Sequence, residues 1–265
     1  MAIPDKYRDK YIFHFTDVEN LDSIIKNGLL CTNIKNRKKI KHKNIANMSI
    51  QERRANMDVP IGPGGKVHDY VPFYFSSINP MLLTLLNQKN VDQNRIIYLC
   101  IKIQRLEKDD AVFTNASANT AKPPIFYEDT SHLDELDWDL IESRRWNVGT
   151  EENKHKKMAE ALVYNKVNMS EIDAIVVYND EAKKIVERIF EDNKAPSPII
   201  LFDHNPKMRN YGFYYTKFFV KGKECDTLVT GPVMLLYSYN RLIDIIKEKR
   251  QEKKEACPSI RQYLI

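Results

Sequence analysis

The chain has 265 residues, 43% of them hydrophobic and 10% aromatic, which supplies one large core and excludes global disorder. Forty-one basic against 36 acidic residues give a net charge of +5, a small excess that matters only through its placement. No apolar run approaches the roughly 18 residues of a membrane span, and the first residues lack a signal-peptide core. Cys31, Cys100, Cys225 and Cys257 lie too far apart for a disulfide framework or a metal-type pair, so the expectation is a reduced, cytoplasmic protein.

Tyr11-Ile12-Phe13-His14-Phe15 alternates and predicts a first strand. Asp17 then suits a helix N-cap, with an incomplete capping box because Asn20 stands where Glu or Gln would complete it. Val18, Leu21, Ile24 and Ile25 share one helical face, and Asn27-Gly28 carries helix-ending chemistry. Residues 35–43 hold Lys35, Arg37, Lys38, Lys39, Lys41, His42 and Lys43 with no acid among them, and read either as a solvated loop or as a phosphate-binding patch. A helix is expected over 49–56. After the flexible Gly62-Pro63-Gly64-Gly65, the ten residues from His68 to Ser77 include four aromatics and predict a short strand with a loop at its mouth. Its rings face either the core or something planar; alternation puts Phe73 and Phe75 on one side, and Tyr70, Pro72 and Tyr74 on the other.

A helix over 80–87 and a doubly buried strand over 95–103 follow. Residues 113–157 are long, polar and irregular, relieved only by a short helix near 133–141; such loops are usually functional. Strands are predicted over 159–164 and 172–178, then a helix over 180–190 with Ala182, Ile185, Val186 and Ile189 on one side. Ala195-Pro196-Ser197-Pro198 predicts a boundary between a domain of residues 1–194 and an extension, 195–265, packed on it or continuing it. That extension carries a Tyr/Phe cluster at 211–219 and a helix over 239–255. The sum is an α+β fold of short mixed strands with inserted helices.

Three features bear on chemistry. His14 sits between phenylalanines, where a satisfied core histidine is the ordinary alternative to a functional one. The aromatic strand is the second. Glu160 is the third, because a carboxylate entering an apolar strand is costly unless Lys156, Lys157 or an arginine elsewhere pairs with it. The chain has no phosphate loop, zinc helix, nucleophile elbow or dinucleotide fingerprint, and no two of its six histidines stand at metal-ligand spacing.

Taken together, these residues resemble the DarT family of DNA ADP-ribosyltransferase toxins. The resemblance rests on His14-Phe15-Thr16, Asn27-Gly28-Leu29, Arg53-Arg54, Val59-Pro60, the glycine run at 62–65 and the segment from His68 to Phe75. It continues through Pro80-Met81-Leu82, Asp137-Trp138, Trp146 and Ala159-Glu160, covering about residues 5–190. It implies an ADP-ribosyltransferase-like fold with a split mixed sheet, inserted helices and a C-terminal extension. It further implies NAD as co-substrate, no metal, and transfer of ADP-ribose to a base of single-stranded DNA, thymine before guanine. The resemblance makes Glu160 catalytic together with an arginine of Gln51-Glu52-Arg53-Arg54, Arg53 being preferred over Arg54. It assigns NAD to His14, Thr16, Asn20, Leu21, Gly28, Tyr70, Tyr74 and Arg53, with Tyr74 facing the co-substrate. DNA falls to Arg144, Arg145, Trp146, Lys154 and His155, and to Lys38 and Lys39 of the basic block. A macrodomain antitoxin is the implied partner. Transfer to RNA or protein, and a non-catalytic single-strand-binding module, are the competing readings.

Overall fold

The structure, a computed structural model, describes residues 2–46, 48–88, 91–119, 123–143, 145, 147–202, 214, 218–220, 223–225 and 251. Its strands are β1 (Tyr11–Asp17), β2 (Leu29–Leu30), β3 (Tyr70–Tyr74), β4 (Ile96–Lys102), β5 (Ala111–Thr114) and β6 (Phe126–Tyr127). They continue with β7 (Glu160–Tyr164), β8 (Lys166–Val167), β9 (Ala174–Val177) and β10 (Ile199–Phe202), and end in a short pair, β11 (Phe218–Val220) and β12 (Lys223–Cys225). The helices are α1 (Leu21–Asn27), α2 (Thr32–Arg37), α3 (Met48–Asn56), α4 (Pro80–Asn87), α5 (Trp138–Glu142), α6 (Glu151–Lys157) and α7 (Asp180–Asp192).

Eight strands make one mixed sheet in the order β10-β9-β4-β1-β3-β7-β5-β6, antiparallel except for the parallel pair β9 and β10. Alternation along β4 explains why it is apolar throughout. Ile97, Leu99 and Ile101 pack with Leu21 and Ile24 of α1 and Val186 and Phe190 of α7. Ile96, Tyr98 and Cys100 pack on the opposite face with Leu82 and Leu85 of α4. The aromatic strand divides as its alternation predicts: Phe73 and Phe75 join the first of these cores, while Tyr70, Pro72 and Tyr74 line a cleft.

The sheet is nearly parted at its middle. β1 matches β4 over seven residues and β3 matches β7 over five, yet β1 and β3 share the single pair Phe13 and Tyr74. Pro72 has no N–H to give to a ladder, and its carbonyl accepts from the His14 ring at 2.8 Å. Two half-sheets therefore meet at a seam.

Several elements differ from expectation. The basic block does not begin as a loop: Cys31 and Thr32 start α2, which carries Lys35 and Arg37. The region 113–157 holds β5, β6 and α6 besides the expected short helix. On α7, Ala182 and Val186 are buried and Ile189 packs against the core as expected, but Ile185 is 51% exposed and Phe190 is buried as well. The proline run, by contrast, connects to β10, the outermost strand of the same sheet, in keeping with an extension that continues the domain. Tyr214 is buried against that half, its hydroxyl 2.7 Å from the Ile96 carbonyl and 2.9 Å from that of Val176. The rest of the Tyr/Phe cluster at 211–219 has no described side chain, and the helix expected over 239–255 lies outside the described residues, residue 251 apart.

Candidate active site

The seam opens into a cleft of about 420 Å³. Glu160, the first residue of β7, lies opposite Tyr74 in register and is 1% exposed. Its Oε1 accepts from Arg54 Nη1 at 2.8 Å and from the Ala118 amide at 2.8 Å. Its Oε2 has no hydrogen-bond partner among the described residues. A buried acceptor left unmade costs about 1–3 kcal/mol, more when charged. Glu160 is not itself among the residues that line the cleft, whereas Arg54, which holds it, is.

Arg54 lines the cleft and is itself buried. Burial opposes its charge, but the adjoining Glu160 carboxylate more than offsets this and holds the guanidinium above its ordinary pKa. Arg53 was the sequence's preference; it is exposed, and the pair to Glu160 is made by Arg54. Successive residues of a helix turn about 100° apart, so neighbouring arginines cannot share one site.

His14 donates from Nδ1 to the Pro72 carbonyl, which leaves Nε2 as an acceptor at the cleft wall. Burial, with Lys35 and Arg54 adding positive charge, lowers its pKa from 6.5 to about 4. The unfolded chain therefore takes up this proton first as pH falls, and stability drops between pH 6.5 and 4. Discounted for the ring's partial exposure, the loss is about 2 kcal/mol. Urea denaturation across that window should show it, and His14→Gln should flatten the curve; an unchanged curve in the variant removes His14 as the cause.

Tyr74 stacks on Phe15 with centroids 5.9 Å apart and keeps part of its ring open to the cleft. Burial and the nearby Glu160 carboxylate raise its hydroxyl pKa, so it is a neutral donor. Tyr70 is held more firmly: its hydroxyl donates to the Gly64 carbonyl at 2.8 Å and its ring meets Tyr164 edge-on. At 1% exposure it is wall rather than stacking platform.

Thr16 accepts from Asn20 Nδ2 at 2.9 Å, and Asn20 also grips the backbone of one residue of the basic segment, Lys43. Its Oδ1 accepts from the Lys43 amide at 2.7 Å while its Nδ2 donates to the Lys43 carbonyl at 3.0 Å. Asn20 lines the cleft with its amide engaged in holding residues 40–46 beside it. Leu21 is fully buried in the core and does not line the cleft, so the expectation that it contacts a ligand gives way to a packing role. Gly28 lines the cleft at φ +81°, and a Cβ there would stand 2.8 Å from the Val167 carbonyl oxygen.

Of the basic block, Lys35, His42 and Lys43 line the cleft, whereas Lys38 and Lys39 are exposed away from it. Burial lowers the Lys35 pKa. Arg144 and Trp146 lie outside the described residues; Arg145 is exposed between α5 and α6. Lys154 pairs with Glu151 on α6. His155 Nδ1 lies 2.7 Å from Ser117 Oγ, and burial is the main cause of its lowered pKa. Sequence reasoning missed Asn119 and His68, which line the cleft, and the Ala118 amide. His68 is 9% exposed with Nε2 unpartnered among the described residues; burial, then Arg54 and Lys35, lowers its pKa. Its place at the head of the aromatic strand was the available signal. Among the described residues no group of three His, Cys, Asp or Glu could hold a metal, and no helix is long and apolar enough to cross a membrane.

The family model described as "ssDNA thymidine ADP-ribosyltransferase, DarT" matches residues 13–208. A DNA ADP-ribosyl transferase of Thermus sp. (strain 2.9) is 34% identical over 201 residues, 72% of this chain and 94% of the relative. The solved structure of Thermus sp. 2.9 DarT with ADP-ribosylated single-stranded DNA matches with a TM-score of 0.68 and 31% identity, covering 76% of this chain and 96% of that one. The same protein with NAD+ matches at 0.63 and 29%, over 76% and 97% of the two chains. A Thermosipho africanus fusion of a DNA ADP-ribosyl transferase with a DNA ADP-ribosyl glycohydrolase is 24% identical over 191 residues, 71% of this chain and 48% of the fusion. With the model spanning most of the chain and the Thermus relative covered almost end to end, this chain belongs to the DarT family of ADP-ribosyltransferases.

Proposed function

We propose that this protein transfers ADP-ribose from NAD to a thymine base of single-stranded DNA. The observation that carries the reading is Glu160: a buried carboxylate with one oxygen fixed by Ala118 and by the cleft-lining Arg54, and the other without a partner among the described residues. NAD is the co-substrate seated in the cleft. As the ribose–nicotinamide bond breaks, its electron pair leaves with the nicotinamide and the anomeric carbon acquires oxocarbenium character. Glu160 stabilises that charge and accepts from a ribose hydroxyl through Oε2. Tyr74 offers its ring to the nicotinamide, and His14 Nε2 accepts from the co-substrate. Arg54 polarises the acceptor base; the base nitrogen bonds to the anomeric carbon and gives up its proton to Glu160, the carboxylate beside Arg54. Arg145, Lys154 and His155 meet the single strand from the α5–α6 side.

The Thermosipho relative, which joins a transferase to a DNA ADP-ribosyl glycohydrolase, supports a partner of opposite activity. We take that partner to be a macrodomain antitoxin, with this chain as the toxin. Incubation with NAD and single-stranded oligonucleotides of each base composition, read by base-resolved mass spectrometry, tests the assignment. The expected product is one ADP-ribose on thymine. An adduct confined to guanine corrects the base, and one confined to RNA or protein overturns the substrate.

A further inference from the structure

Lys157 ends α6 and is 0% exposed, yet it makes no ion pair with a carboxylate among the described residues. Its ammonium is surrounded by oxygens from the end of α5. Nζ lies 3.0 Å from the Leu140 carbonyl, 3.2 Å from that of Ile141, 2.6 Å from that of Ser143 and 3.2 Å from Ser143 Oγ. A five-residue helix leaves its last carbonyls without intrahelical partners, and their partial negative charge favours a cation there. Burial pushes the amine pKa down to about 7, a cost that four oxygen contacts offset.

The other end of α5 is anchored independently: Trp138 stacks on Tyr7, meets Phe75 edge-on and donates from Nε1 to the Leu133 carbonyl at 2.6 Å. Helix α6 has its own tie to the site, through His155 to Ser117, next to the Ala118 amide that holds Glu160. Removing Lys157 therefore frees the α5–α6 connection, where Arg145 lies, without releasing Glu160 from Arg54 or Ala118.

We propose that Lys157 is a positioning residue for the DNA acceptor, a tether that fixes the α5–α6 pair and through it the side chains that meet the strand. This rests on the reading that Arg145, Lys154 and His155 face DNA. Lys157→Met keeps length and apolar bulk and removes the donors. The expected result is a rise of about tenfold in the oligonucleotide KM, with kcat and the NAD Kd within twofold of the parent. Backbone amides at 147–150 should exchange faster with solvent while those of β7 stay protected. A fall in kcat at unchanged KM, or a parallel loss of NAD affinity, overturns the proposal. So does faster exchange at 147–150 with an unaltered KM, which would leave a tether with no bearing on DNA. Should Lys157→Met not fold, Lys157→Arg and Ser143→Ala grade the same contact: each must raise the oligonucleotide KM by less than tenfold and leave kcat alone, and an unmoved KM in both overturns it. Absence of transfer by the parent protein in the same assay is a failure of the function itself, and is thereby distinguished.

Discussion

Replacing Glu160 with glutamine is expected to lower transfer to DNA by at least about 100- to 1000-fold, the scale on which removal of one preorganised electrostatic group acts. Glutamine can still accept from the Ala118 amide, so the carbonyl side of the site is preserved. What is lost is the negative charge facing the developing cation. The substitution also leaves Arg54 buried without its counter-charge, which costs about 3–5 kcal/mol. The variant should therefore melt well below the parent, and transfer must be measured at a temperature where both are folded. Transfer within tenfold of the parent would dismiss Glu160 as the catalytic carboxylate.

The second large effect separates two adjacent arginines. Arg54→Ala should reduce transfer by at least about 100-fold, since it removes the partner of Glu160 and a cleft cation together. Arg53→Ala, at an exposed position, should stay within about twofold. Arg54→Lys should not restore the parent rate. Nη1 alone reaches Glu160 at 2.8 Å and the Ala118 carbonyl at 3.5 Å, a point that the ammonium of a lysine, whose side chain is one bond shorter, does not reach. Single-turnover assays at saturating NAD give the comparison; loss in Arg53→Ala with retention in Arg54→Ala would reverse the assignment.

Local sequence does not separate the two arginines. Helix α3 runs Met48-Ser49-Ile50-Gln51-Glu52-Arg53-Arg54-Ala55-Asn56, with too few apolar residues to define an inward stripe. Ile50 was the usable marker: it lines the cleft, and Arg54 stands four residues on, on the same face. The aromatic strand was legible because a period of two between sharp turns leaves no second solution. Helix α6 was not, because Glu151-Glu152-Asn153-Lys154-His155-Lys156-Lys157 is polar all round and its one fully buried side chain is a lysine. The carboxylate at 160 announced itself through its cost in an apolar strand, but the partner, 106 positions away, could come only from the fold.

The seam between β1 and β3 sets stability against activity at the level of the backbone. Each further residue pair made between these strands would add a hydrogen bond worth about 0.5–1.5 kcal/mol. The same pair would draw the cleft walls, Thr16 on one side and Tyr70 on the other, toward contact. Selection for a tighter sheet and selection for an open site therefore act on one set of unmade bonds. Stabilising substitutions in this protein belong at α7 or β10, at the far edge of the sheet from the seam, where a better core leaves that gap as it is.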